Sequence, residues 1–380
     1  MKRTIIFRID YTIQKTWIIA RCIPFVFLGL LLLSPLPCSG QEPSADVQDQ
    51  NTQASVQDAR MDPHWLPLIT RLAEDGMDQE RMTQIFADMA LPWSPIFMAA
   101  KIQELYGTGL GIKASVKDLP DKNVPDPPDY MPPTISGFEG AQTLLKERTS
   151  LLAAVQKRYG VPPPLIASVL LLESDMGHEL GEALALHALA SKSVTNTLEQ
   201  TLQGIEGYEQ PQPALRKKME KSIREEADFA YKELCALIRY CETSGIDILY
   251  VPGSVSGAVG LCQFMPGDIS VYGVDSNNKG VIDLFSLPDA VYSIGNFLKE
   301  HGFAEKLTIK KQLEALRCYN QTDGYAALAL GMSYQLAGKQ VPAELSMFSA
   351  RGARKAWWPK IPPAYRLPPL GRYNIKGSAE

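Results

Sequence analysis

Gly253 to Pro266 reads GSVSGAVGLCQFMP, and the fold turns on what its glycines are for. Gly253, Gly257 and Gly260, with Ser254, Ser256 and Ala258, leave a nearly bare backbone, and Gln263 then sits between Cys262 and Phe264. A phosphate-cradling glycine loop would place the stretch in an α/β protein. A Walker loop closes on Gly-Lys-Ser/Thr, and no such triplet ends this one. A dinucleotide loop follows a strand in a βαβ unit, whereas the segments on either side of this stretch have helical periodicity. Its small residues therefore suit close backbone packing against a helix, or one wall of a groove.

Working outward, Trp65, Leu66, Leu68, Ile69 and Leu72 recur at helical spacing, followed by Ile85, Met89 and Ile96 to Leu105. This predicts an N-terminal helical segment within residues 61–115. Residues 116–137 are rich in Pro and Asp and form an irregular connection. Helices resume over 138–340. Phe138 to Tyr159 is one amphipathic run, Pro162 to Pro164 open the next helix, and Glu199 to Ser244 contains a long charged helix with a solvated face. Leu287 to His301 and Ile309 to Leu336 complete this part. The last residues, 341–380, carry Trp357, Trp358, seven Lys/Arg and six Pro, a composition for an irregular tail laid along the surface.

The first forty residues read as an export signal. Lys2, Arg3, Arg8, Lys15 and Arg21 form a basic region, Phe25 to Leu33 is an apolar run too short to span a bilayer comfortably, and Cys38 and Gly40 supply small residues for cleavage after Gly40. A retained N-terminal anchor is the alternative. Pro37 before Cys38 argues against lipidation. Residues 41–60 are polar, lack aromatics and form a disordered linker. The expected location is the periplasm or cell envelope. Without residues 1–40 the chain keeps 33 basic and 41 acidic residues, a formal charge of −8, which gives no reason to expect a nucleic-acid partner. Cys235, Cys241, Cys262 and Cys318 remain. They are read as buried small hydrophobes or as structural disulfides. With only four His in the chain and no Cys-x-x-Cys, a structural zinc site is not expected.

One carboxyl stands apart. Glu173 ends the run Leu165-Ile-Ala-Ser-Val-Leu-Leu-Leu, and on a helix Leu170, Val169 and Ile166 share its face. A carboxyl among aliphatic side chains resists ionisation and stays protonated near neutral pH, as a general acid must. Gly177 is placed to end the helix. The plain alternative is a carboxylate at a helix end paired with a Lys or with water.

These motifs together resemble the membrane-bound lytic transglycosylase B family of peptidoglycan-cleaving enzymes. The resemblance rests on Glu173-Ser174-Asp175-Met176-Gly177, on Gly253 to Pro266, on the Asp-containing loop Asp275 to Asp283, on Asn296-Phe297-Leu298 and on Tyr319-Asn320, in that order. It implies a mainly α fold, with a lysozyme-like helical core, the additional N-terminal helical segment and the irregular C-terminal tail. It also implies cleavage of the β-1,4 bond between N-acetylmuramic acid and N-acetylglucosamine, leaving 1,6-anhydromuramoyl ends. Glu173 would act first as acid and then as base. Ser254, Gln263, Phe264, Phe297, Tyr319 and Asn320 match positions that line the family's sugar groove. Gln263 can both donate and accept, and Phe264 and Tyr319 offer apolar surface, with core packing as the alternative for each. The expected partners are peptidoglycan glycan strands; peripheral contact with the envelope membrane is left open, and no cofactor is expected.

Two departures stand out. Phe297 occupies a position where the family usually has Tyr. Asp275 to Ser286 resembles a calcium loop with Asp275, Asn277, Gly280 and Asp283 in place, but Lys279 and Ser286 replace oxygen ligands. No bound metal is therefore expected. A hydrolytic lysozyme on the same fold and a non-catalytic peptidoglycan-binding protein are the alternative readings.

Overall fold

The computed structural model describes residues 61–110, 115–117, 135–321 and 323–345. The chain divides into two units, Met1–Asn51 and Thr52–Glu380, and every described residue belongs to the second. The export signal, the linker, most of the Pro-rich connection and the greater part of the tail, including Trp357 and Trp358, lie outside the described residues.

The N-terminal segment is three helices, α1 (Trp65–Glu74), α2 (Gln79–Met89) and α3 (Ile96–Tyr106). Asp78 starts α2 by accepting the Arg81 amide at 2.7 Å, an N-terminal cap. Trp65, Leu68, Ile69 and Leu72 are buried, as their spacing requires.

The expected single run from Phe138 to Tyr159 is two helices, α4 (Gly137–Glu147) and α5 (Thr149–Tyr159). Arg148 leaves helical geometry between them (φ −110°, ψ 29°). Thr149 turns its hydroxyl back to the carbonyls of Leu145 and Lys146 at 3.1 and 3.0 Å. That local bond satisfies the carbonyls of a helix that stops.

Next comes α6 (Pro163–Ser174), with Pro in its first turn. Leu165 to Leu170 are all buried, so α6 is a core helix covered on all sides and not an amphipathic one. It packs on α4, α5, α11 (Leu287–Glu300) and α13 (Asp323–Leu336). Ala326 and Ala329 let α13 come close, and Ser168 donates to the Ala329 carbonyl at 2.7 Å.

The remaining helices surround this core: α7 (Ala185–Val194), α8 (Leu198–Leu202), the 32-residue α9 (Pro213–Ser244), α10 (Pro266–Tyr272) and α12 (Ile309–Tyr319). On α7, Lys192 is almost wholly buried and pairs with Glu226 of α9. Strand structure among the described residues is limited to two short antiparallel pairs. β1 (Ser115–Val116) pairs with β3 (Ile205–Glu206), and β2 (Ala183–Leu184) with β4 (Pro252–Gly253). No helix among the described residues is long and apolar enough to cross a membrane.

The four cysteines are free thiols, with Cys235, Cys241 and Cys262 buried and Cys318 exposed. The disulfide alternative is thereby corrected. Three of the four are core residues, and burial raises their thiol pKa values.

Candidate active site

Glu173 lies in the last turn of α6. Ile166, Val169 and Leu170 are fully buried. The Glu173 side chain is partly exposed as a whole, but its Oε1 is buried without a hydrogen-bond partner. Burial pushes its pKa up to about 7, against the smaller lowering effect of the neighbouring Tyr325 hydroxyl. No other carboxylate among the described residues contributes to the shift. At neutral pH this group holds its proton about half the time, which suits a group that must both give and take one.

The chain leaves α6 through an unusual turn. Asp175, Met176 and Gly177 have φ values of 47°, 62° and 94°. Two non-glycine residues in the left-handed region mark a turn held by its surroundings. Asp175 Oδ1 accepts the Gly137 amide at 2.7 Å. Ser174 accepts the Gly177 amide at 3.1 Å and donates to the Leu261 carbonyl at 2.8 Å. Thus the residue beside Glu173 is tied directly to the glycine-rich stretch eighty residues later.

That stretch is a tight hairpin. Val259 and Phe264 exchange two backbone bonds, at 2.9 and 3.1 Å, and Ser254 holds the preceding turn by accepting the Ser256 and Ala258 amides at 3.2 and 3.1 Å. Two glycines are needed sterically. Gly257 has φ 94° and its missing Cβ would overlap the Leu189 side chain of α7; Gly260 has φ 75°, and a Cβ there would lie 2.6 Å from that of Leu284. The close packing expected of this stretch is therefore present, but its glycines press on α7 and on the Leu284 loop. Its link to the glutamate helix runs through Ser174.

Gln263 also takes a positive φ, 48°. Its Nε2 donates to the carbonyls of Leu180 and Gly260, both at 3.0 Å. The amide group thus locks the hairpin, leaving Oε1 as the atom it can offer a ligand. Behind the hairpin, Tyr319 donates to the Cys262 carbonyl at 2.7 Å, and its ring stacks on Tyr325 at 6.2 Å. Burial raises the pKa values of both tyrosines well above the ordinary value, so both keep their protons. Asn320 follows at the end of α12, half-buried.

The expectation that Phe264 and Phe297 face the sugar needs correction. They are 2% and 5% exposed and pack on each other at 5.5 Å and on Tyr319 at 5.8 and 4.8 Å. Phe297 also stacks on His301 at 4.1 Å. Rings so covered have no face to offer. They form the packing beneath the hairpin.

Sequence reasoning missed Tyr325, the hydroxyl against the catalytic candidate. Its signal was slight: a single tyrosine leading the Ala- and Leu-rich run that follows Tyr319-Asn320. A cavity of about 440 Å³ lined by Arg81, Ile85, Glu242 and Ile246 lies elsewhere, and none of the expected site residues lines it.

The chain matches the model of the transglycosylase SLT domain family over residues 61–329, most of its length and all of the site just described. It belongs to that family. Membership spans both the N-terminal helices and the core carrying Glu173. A membrane-bound lytic murein transglycosylase B of Escherichia coli (strain K12) is 29% identical over 147 residues, which is 39% of this chain and 33% of the relative. The aligned stretch thus spans about a third of that relative's length. Two solved structures share the lysozyme-like fold. The E. coli lytic transglycosylase Slt35, solved in complex with calcium, superposes with a TM-score of 0.51 at 16% identity, covering 73% of this chain and 93% of its own. The catenated lytic transglycosylase SltB1 of Pseudomonas aeruginosa gives 0.52 at 18%, covering 74% and 99%.

The calcium of the first of these invites a test of the Asp275 loop. Asp275 accepts the amides of Asn277 and Gly280 at 3.2 and 2.6 Å, Asn277 accepts that of Lys279 at 3.1 Å, and Asp283 accepts that of Phe285 at 2.9 Å. Lys279 brings a cation where a ligand oxygen belongs. Among the described residues no group of three or more His, Cys, Asp or Glu side chains is placed to hold a metal ion. With Lys279 and Ser286 in place of two oxygen ligands, the loop falls short of the six to eight oxygens that calcium takes.

Proposed function

We propose that this family member is a lytic transglycosylase of peptidoglycan, cleaving the β-1,4 bond between N-acetylmuramic acid and N-acetylglucosamine and leaving 1,6-anhydromuramoyl ends. The observation that carries the reading is Glu173: a carboxyl whose pKa burial has moved to about 7, on which no second carboxylate acts. Two-carboxylate glycosidases need a partner acid roughly 5–9.5 Å away to serve as nucleophile or to activate water. A single carboxyl suffices when the nucleophile belongs to the sugar. In the first step the Glu173 carboxyl gives its proton to the glycosidic oxygen as the bond to C1 breaks. In the second, the carboxylate takes the proton of the muramoyl C6 hydroxyl as that oxygen closes on C1. The proton count on Glu173 balances over the cycle, and no water is consumed.

Other groups support this role. The Tyr325 hydroxyl steadies the carboxylate between the two steps. The amide of Gln263 is held by Leu180 and Gly260, so its Oε1 meets a sugar hydroxyl or N-acetyl N–H without reorganising, and Ser254 and Asn320 add polar edges. The relatives named above, one of them a murein transglycosylase, point to the same substrate. Export to the periplasm or envelope follows as part of the proposal, since the substrate lies there.

The test is digestion of purified sacculi followed by mass spectrometry. Anhydromuramoyl products from wild type and none from Glu173→Gln are expected. Reducing ends without anhydro products would instead make the protein a hydrolase, and equal turbidity loss from both proteins would remove Glu173 from the chemistry.

A further inference from the structure

Asp289 has no part in the chemistry above, yet it is among the most enclosed carboxylates described. It lies in the first turn of α11 and is 1% exposed. Its Oδ1 accepts both the Ser276 amide, at 2.9 Å, and the Ser276 hydroxyl, at 2.6 Å. Its Oδ2 accepts the Asp283 amide at 2.9 Å. One side chain thus gathers three donors from both ends of the loop that fails as a calcium site. A divalent cation holds such a loop by drawing oxygens inward. Here the pattern is inverted, with an anion drawing in N–H and O–H groups.

From Asp283 a run of contacts leads to the active site. Leu284, the next residue, gives its carbonyl to the Leu261 amide at 2.9 Å, and its side chain fills the space left by Gly260. The Leu284 amide is itself held by the Tyr240 hydroxyl at 3.3 Å. Leu261 then accepts Ser174, the neighbour of Glu173, at 2.8 Å, and the Gly260 carbonyl receives the Gln263 side chain at 3.0 Å. Each link is a hydrogen bond or a steric stop between buried or half-buried groups. A shift at Asp283 therefore has little slack before it reaches Glu173 and Gln263.

We propose that Asp289 is a metal-independent clasp for the Asp275–Ser286 loop, and through Leu284 a positioning residue for the wall that faces Glu173. The loop keeps its shape with no divalent cation bound, and the carboxylate of Asp289 does the holding. The activity part of this proposal rests on the transglycosylase reading; the clasp itself does not.

The experiment uses the full chain. Melting curves in calcium chloride and in EGTA should coincide for wild type, because a ligand that binds the folded state raises the melting temperature by mass action. A rise of several degrees in calcium would overturn the clasp. Asp289→Asn keeps the shape but turns one acceptor into a donor facing the Asp283 or Ser276 amide. It should lower kcat on sacculi by about tenfold or more with KM within about twofold, since small misplacements cost rate before affinity; calcium should not restore it. Activity within twofold of wild type overturns the positioning role. Should that variant fail to fold, amide hydrogen exchange in wild type decides. Slow exchange at Asp283 and Leu261, unchanged by calcium, supports the clasp, and rapid exchange there or calcium-dependent protection refutes it. If wild type shows no activity at all, the melting and exchange arms still read the clasp separately from the function.

Discussion

Glu173→Gln should abolish activity and at the same time stabilise the protein at neutral pH. In the folded chain burial raises this pKa from 4.5 to about 7; in the unfolded chain the group titrates at its ordinary value. Between these two values the folded state holds a proton that the unfolded state has released, so stability falls as pH rises. At about 1.4 kcal/mol per pKa unit, the ionised carboxylate costs about 3 kcal/mol above pH 7 and nothing below the unfolded pKa. Gln fills the same space and has no charge to desolvate. Urea unfolding of both proteins at about pH 4.5 and about pH 8 measures the cost as a difference of free energies. Carboxylates common to both proteins cancel in that difference. The variant should match wild type at the lower pH and exceed it by about 3 kcal/mol at the higher. A difference that does not change with pH would mean that the carboxyl is solvated and would refute the argument for an acid held in reserve.

The remaining predictions are simpler. The activity of wild type should fall as pH rises through about 7, where Glu173 loses its proton. Tyr325→Phe removes a hydroxyl that favours the ionised form, so the limb of the pH–rate profile should move to higher pH; an unmoved limb would separate Tyr325 from Glu173. Gly257→Ala forces a Cβ into Leu189 at a φ of 94° and should cost about 1–3 kcal/mol, read as a lower melting temperature. Alkylation of the native protein followed by peptide mapping should label Cys318, whereas Cys235, Cys241 and Cys262 react only after denaturation.

The parts of the site that were legible in the sequence are those set by local pattern. The placing of Glu173 on the face of Ile166, Val169 and Leu170 follows from helical spacing alone, whereas the burial of its carboxyl oxygen does not. The glycine-rich hairpin was legible as a close approach because only bare backbone packs that tightly. Which surface it approaches was not, since Leu189 and Leu284 lie far off in sequence and carry no mark of the contact. Tyr325 was missed for the same reason: its partner is 152 residues earlier. The break at Arg148 escaped the periodicity because apolar spacing continues across it. Phe264 and Phe297 illustrate a converse limit. An aromatic residue beside a groove motif has the same appearance in sequence whether its ring faces the ligand or supports the wall, and only burial separates the two.

The two buried carboxylates explain each other by contrast. Asp289 receives three donors, and an anion so solvated by fixed dipoles is stable in the interior. Glu173 has an orphaned oxygen and only the nearby Tyr325 hydroxyl to favour its charge, so that charge is costly and its proton mobile. The cost is met elsewhere in the same structure: the Ser174–Leu261 bond, the Gln263 latch and the clasped loop fix the wall around Glu173 without giving it a counter-charge. A lysine or arginine placed beside Glu173 would relieve the desolvation, lower its pKa and leave a permanent carboxylate with no proton to give. Rigid neutral surroundings are therefore what one carboxyl needs if it is to serve first as acid and then as base.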